Sequence, residues 1–121
     1  MKNKGPLSGI TVIDLTAMIS GPVCTMMLGD QGADVIKVEP LTGELTRKVG
    51  KQKNGMTTSF LCANRSKRSI TLNLKDKKGI NILKKLIKNA DVLVQNFRPG
   101  TMKRMGLNYE DVKNINKEII Y

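Results

Sequence analysis

Two short runs rich in β-branched residues, Ile10 to Leu15 (ITVIDL) and Asp34 to Glu39 (DVIKVE), frame the start of the chain. Each has the apolar density of a strand buried on both faces of a parallel sheet. Gly9 and Thr16 bound the first, and Pro40 ends the second. Between them Ser20-Gly21-Pro22 reads as a helix start, because Ser20 can cap free amides and Pro22 is tolerated in a first turn. The helix is expected to run through Cys24, Met26, Met27 and Leu28 and to stop at Gly32. Strand, helix and strand within about 30 residues make a βαβ unit, whose strands must be parallel and joined by a crossover.

The alternation continues. Residues Leu41 to Thr57 lack periodicity and read as a mobile loop. Ser69 to Leu74 alternates, with Ile70, Leu72 and Leu74 on one face, and predicts a third strand. Asp76 can cap a following helix whose apolar positions Ile80, Leu83 and Ile87, with Ile82 and Leu86, fall at helical spacing. Asp91 to Gln95 predicts a fourth strand, followed by the loop Asn96-Phe97-Arg98-Pro99-Gly100. Two short helices, Thr101 to Met105 and Tyr109 to Ile115, lead to Ile119-Ile120-Tyr121, the beginning of a fifth strand. The expected fold is an α/β, Rossmann-like parallel sheet with crossover helices, one unit over residues 1–121. In such sheets ligands bind at the C-terminal strand ends. Those ends are Thr16 to Ser20, Glu39 to Pro40, Leu72 to Lys75 and Asn96 to Arg98.

Composition excludes several chemistries. The 121 residues contain no histidine, so Ser-His-Asp and Cys-His catalysis and His-based zinc sites are ruled out within the chain. Two isolated cysteines, Cys24 and Cys62, build neither a disulfide scaffold nor a metal site. No apolar run approaches the roughly 20 residues of a membrane span, and the start Met1 to Pro6 does not resemble a secretory signal. A cytoplasmic protein without a membrane partner is expected. The net charge of +11 is uneven: Arg65 to Lys88 holds nine basic residues and one acid, Asp76. Such an excess suits a polyanionic partner.

Each candidate site has a structural alternative. The turn Thr16-Ala17-Met18-Ile19-Ser20-Gly21 lacks the G-x-G-x-x-G of dinucleotide binders, although Glu39 ends the second strand where a ribose-binding acid would lie. Aromatics make up 3% of the chain and Trp is absent, which leaves nucleic-acid stacking without a platform. The pairs Lys77/Lys78 and Lys84/Lys85 read as a solvated helix face, whereas Arg65, Lys67, Arg68 and Lys75 flank a buried strand. Cys24 reads as a small core residue facing the sheet rather than a dipole-activated thiol, and Asp14 and Asp34 as structural carboxylates bonding backbone amides. Asn96 to Gly100 with Arg104 offers an amide, a ring and two guanidiniums at a strand end, groups suited to a nucleotide carrying phosphates.

Several segments, in this order, resemble the family III CoA-transferases, of the formyl-CoA transferase and carnitine CoA-transferase type. They are Pro6 to Asp14 (PLSGITVID), Gly21-Pro22 with Cys24-Thr25, Gly32 to Pro40 (GADVIKVEP), Asn64-Arg65 with Lys67 to Ile70, and Ala90-Asp91-Val92 through Asn96 to Gly100. Arg104 to Leu107 and Ile119 to Tyr121 continue the match, which covers nearly the whole chain. The resemblance implies the N-terminal, truncated part of a larger CoA-binding domain and, in complete members, an interlaced homodimer. It implies a reaction that moves CoA between an acyl-CoA and a carboxylic acid through an aspartyl-CoA thioester. No tightly bound cofactor or metal is implied, since CoA is the substrate. The family's CoA-contacting positions fall on Ile19, Ser20, Leu72, Asn73, Leu74, Lys75, Asn96, Phe97 and Arg98, with Arg104 on a phosphate. Ile19 stands where some members have Gln, and Pro40 where some have Arg. The family's nucleophilic Asp is expected beyond Tyr121, so the 121 residues alone are expected to be inactive. Two alternatives stay open: a 2-methylacyl-CoA racemase or epimerase of the same superfamily, and a non-catalytic nucleotide- or RNA-binding module.

Overall fold

A computed structural model of the chain describes residues 4–121. In order, the elements are β1 (Thr11–Asp14), α1 (Ser20–Asp30), β2 (Asp34–Glu39), a 3-10 turn (Leu45–Arg47), β3 (Gln52–Lys53), β4 (Met56–Thr57), α2 (Thr58–Asn64), β5 (Lys67–Thr71), α3 (Lys77–Lys88), β6 (Val92–Val94), α4 (Thr101–Arg104) and α5 (Tyr109–Ile115). Four strands form one sheet in the order β5-β2-β1-β6, every pair parallel. The predicted Rossmann-like α/β architecture is therefore present, with the strand order reversing direction between β1 and β6. Ile120 bridges Val92 in parallel, so the Ile119-Ile120-Tyr121 segment, expected to begin a fifth strand, makes an isolated bridge beside β6.

Helices cover both faces. Ile13, Leu15, Val38 and Leu93 point to one side, where Leu83 and Ile87 of α3, Met102 of α4 and Val112 of α5 complete the larger core. Val12 and Val35 point to the other side with Ala33 and, partly buried, Leu28 of α1. The two-residue period of a strand produces this division. Each fully buried aliphatic side chain, such as Leu83 or Ile87, stabilises the fold by roughly 1.5–3 kcal/mol.

Capping sets the helix ends. After α1, the Gly32 N–H reaches the Gly29 carbonyl and the Ala33 N–H reaches Leu28, with Gly32 at φ 101°, which is a Schellman closure at the predicted stop. Asp76 accepts a 2.8 Å bond from the Lys78 amide at the start of α3, as its sequence position predicts. A capping box between Asn108 and Asp111 starts α5. Ser20 does not cap α1. It is the first helical residue, Ile19 occupies the cap position, and no side-chain cap bond is made there.

Three further expectations are corrected. The Leu41 to Thr57 segment carries the 3-10 turn and the β3-β4 hairpin, and α2 follows it. The third sheet strand is Lys67–Thr71 rather than Ser69 to Leu74, because Leu72 to Lys75 already turns toward α3. Cys24 is exposed. The contact face of α1 is Gly21, Pro22, Thr25, Met26 and Gly29, and a 100° step per residue carries position 24 away from it. The charged start Met1 to Asn3 lies outside the described residues.

Candidate functional site

The C-terminal ends of β1, β2 and β5 open into one cleft of about 1220 Å³. Thr16 and Ala17 line it after β1, Pro40 to Leu45 form a wall after β2, and Leu72 to Lys75 follow β5. Ile80 and Lys84 of α3 close one side, and Phe97, Arg104 and Met105 close the far end. Six cations, Lys37, Lys48, Lys75, Lys77, Lys84 and Arg104, share this lining with three carboxylates, Glu39, Glu44 and Asp76, and of the six Lys37 alone is ion-paired among the described residues. All three carboxylates are engaged by protein groups. Glu39 takes two bonds from the Arg47 guanidinium at 2.7 and 2.8 Å, Glu44 lies 2.6 Å from Lys37, and Asp76 caps α3. The positive groups at the cleft therefore outweigh its negative ones, and apolar side chains make up much of the rest. Such a surface fits an anionic ligand that also carries apolar parts.

The walls are fixed from beneath by a buried polar network on the α1 side of the sheet. Asp14 accepts from the Thr16 amide and from the Thr16 and Thr25 hydroxyls, and it meets Lys67 Nζ at 3.0 Å and Lys37 Nζ at 3.9 Å. Lys67 also donates to the Pro22 carbonyl and the Asn64 side chain. Burial pushes Lys67 below its ordinary 10.5, against the opposing pull of Asp14. Burial pushes the Glu39 carboxyl up, but bonds from Arg47, Ser69 and the Glu44 amide, with the Arg47 charge, outweigh it and hold the group at about 2. The Arg47 guanidinium also lies 3.7 Å over the Phe60 ring, which ties the 3-10 turn to α2. Asp14 is structural, as its sequence position suggests, but it bonds two hydroxyls and an ammonium besides an amide. Asp34 pairs with the Arg68 guanidinium, not with an amide.

Six of the ten sequence-predicted site residues line the cleft: Leu72, Asn73, Leu74, Lys75, Phe97 and Arg104. Asn73 also shapes the loop, its side chain accepting from the Lys75 amide at 3.1 Å. Four do not line it. Ile19 is 68% exposed, and Ser20 and Arg98 are exposed as well. Asn96 accepts from the Ala17 amide at 3.0 Å and donates to the Ala17 carbonyl at 2.8 Å, so it joins the β6 loop to the β1 loop where the strand order reverses. Sequence reasoning marked Glu39 and Pro40 as a strand end of the site but missed the Leu41 to Leu45 wall and Lys48, and it read Lys77 and Lys84 as merely solvated. The signal for the wall was available: Lys37 and Glu39 interrupt a buried strand and require partners nearby. Among the described residues no group of three or more His, Cys, Asp or Glu could hold a metal ion, and no helix is long and apolar enough to cross a membrane.

Residues 7–121 match the sequence model of CoA-transferase family III. The chain belongs to this family. A family member from Homo sapiens, succinyl-CoA:glutarate CoA-transferase, is 48% identical over 123 residues, covering 100% of this chain and 28% of the relative. Acetyl-CoA:oxalate CoA-transferase of Acetobacter aceti is 46% identical, covering 99% of this chain and 31% of the relative. Among solved structures, a CAIB/BAIF family protein from Brucella suis superposes with a TM-score of 0.92 at 39% identity, covering 98% of this chain and 32% of that one. This family III chain thus spans about 30% of the length of the relatives it matches.

Proposed function

We propose that this chain supplies the CoA-binding cleft of a family III CoA-transferase, which moves CoA from an acyl-CoA to a carboxylic acid. The observation that carries the reading is the cleft at the strand ends, where an apolar trough and five cations outside any ion pair of the described residues meet six positions that the family resemblance assigns to CoA. CoA matches that pattern chemically: phosphates at its nucleotide end, and a long, weakly polar arm ending in a thiol. Phe97 would offer a ring face, and Arg104 and Lys75 would take phosphate charge.

The reaction would pass through an aspartyl-CoA thioester. An Asp carboxylate attacks the thioester carbonyl and displaces CoA as thiolate, giving a mixed anhydride. The thiolate returns to the aspartyl carbonyl and frees the first acid. The accepting acid then attacks in turn. Glu39, Glu44 and Asp76, the carboxylates of the cleft, are held by an ion pair or a helix cap, so this reading draws the nucleophile from residues outside positions 4–121. It includes a cytoplasmic homodimer as the working form, with no nucleic-acid partner.

Titration calorimetry with CoA tests the reading. Among the described residues Arg104 makes only a 3.0 Å bond to the Thr101 hydroxyl of its own helix, so its charge is available to a ligand. Arg104→Ala is expected to weaken CoA binding by about 1–3 kcal/mol, the range for losing a charge-assisted contact. Equal affinities for variant and unaltered protein would remove Arg104 from the site. No heat with CoA at all would remove the cleft.

A further inference from the structure

The loop after β1 is held from three sides. The Lys37 ammonium donates to the Thr16 carbonyl at 2.9 Å, Asn96 bonds both polar backbone groups of Ala17, and Glu44 Oε1 accepts from the Met18 amide at 2.9 Å. Met18 has φ 71°, a left-handed conformation that non-glycine residues seldom adopt and keep only where their surroundings enforce it. Met18 is 45% exposed, so burial of its side chain does not enforce it. The enforcing groups are polar and lie beneath. Glu44 Oε2 sits 2.6 Å from Lys37 Nζ, both side chains are almost completely buried, and Glu44 Oε1 also accepts from the Thr46 hydroxyl at 2.7 Å. A single carboxylate thus joins two walls of the cleft: the Thr16 to Met18 loop and the loop after β2.

We propose that Glu44 is a positioning residue of the cleft, which through Lys37 and the Met18 amide locks the Thr16 to Met18 loop in the conformation that receives the ligand. The proposal rests on the cleft being the CoA site. Thr16 and Ala17 line the cleft directly, so releasing Met18 would let this wall move before CoA arrives. CoA would then select one loop conformation among several, and its apparent affinity would drop by the fraction populated. Lys37 and Glu44 need not touch the ligand.

The test uses the full chain and CoA as probe. Glu44→Gln keeps an oxygen for the Met18 amide but removes the charge opposite Lys37. It is expected to weaken CoA at least tenfold and to raise hydrogen exchange at the Met18 amide by a similar factor. Adding Met18→Gly to that variant should regain most of the affinity, because glycine adopts positive φ without strain. Loss of general stability would not be repaired that way. If Glu44→Gln does not fold, Lys37→Met with Glu44→Leu removes both charges together and leaves the Asp14–Lys67 pair intact; the same loss of affinity is expected. If the unaltered protein binds CoA and these variants bind it equally well, or if Met18→Gly regains nothing, Glu44 is not a positioning residue. If the unaltered protein takes up no CoA, the reading of the cleft fails instead, and the exchange of the Met18 amide still reports the lock.

Discussion

Lys37 occupies a position that should hold a valine. It alternates with Val35 on one face of a buried strand, and its side chain is 1% exposed. The charge is tolerated because Asp14 and Glu44 face Lys37 and Lys67, two anions against two cations in one interior cluster. Removing one member would leave a buried charge unmatched, a change that typically costs about 3–5 kcal/mol. Glu39 shows how such pairing appears in solution. Its folded pKa of about 2 lies below the ordinary 4.5, so an unfolded chain takes up the proton first as pH falls. The ion pair's stabilisation is therefore complete above about pH 4.5 and is lost as pH drops toward 2. Urea midpoints measured across that window should decline, and Arg47→Met should be less stable at pH 7 yet decline less. An identical decline in the variant would mean that Arg47 is not what holds Glu39 down.

At the scale of elements, close approach decides as much as propensity does. α3 reads as a helix from its spacing alone, with Asp76 before it and Leu83 and Ile87 on its buried face. Its docking depends on Gly79: a Cβ built there would fall onto the Asn73 carbonyl, in the loop that lines the cleft. Gly79→Ala is expected to lower stability by about 1–3 kcal/mol through overpacking. Propensity alone would predict a gain of up to about 1 kcal/mol. The guanidinium midpoint gives the sign, and a stabilised variant would show that the α3 and Asn73 backbones can separate freely. α2 and the β3-β4 hairpin were not legible in the sequence for the opposite reason. Each is short, and α2 is held in place by Phe60 beneath Arg47 and by the Asn64–Lys67 bond rather than by its own pattern.

Across the whole molecule, ion pairing sorts the excess charge. Among the described residues, Lys37, Arg47, Arg65, Lys67 and Arg68 are matched by acids, whereas the five cleft cations other than Lys37 form no ion pair. The basic stretch from Arg65 to Lys88 therefore divides. Its first part holds the sheet edge together, and its later part, with Lys75, Lys77 and Lys84, faces the cleft. This favours a compact polyanion such as CoA over a polymer spread along the surface. CoA affinity should fall about tenfold or less between roughly 0.05 and 0.2 M salt, whereas a polynucleotide making many phosphate contacts would lose about a thousandfold or more. A steep fall for RNA, with no binding of CoA, would favour the nucleic-acid alternative.

What the sequence determined by itself is whatever neighbouring residues settle. The β-branched runs, the helical spacing of α3, the Gly32 stop and the Asp76 cap are local signals, and they were enough to place a parallel sheet and to point to its C-terminal edge. Six of the ten chosen site residues line the cleft, five because they follow strand ends and Arg104 because α4 brings it there. Folding in three dimensions selects the pairings between residues far apart in the chain. Asn96 closes on Ala17 across 79 positions, Lys67 on Asp14 across 53, and Glu44 on Met18 across 26. Burial chooses the partners of Asp14 and Glu44, since a polar group removed from water must find its match wherever folding has brought one, whereas the exposed Asn96–Ala17 bonds follow from the meeting of two loops at neighbouring strand ends.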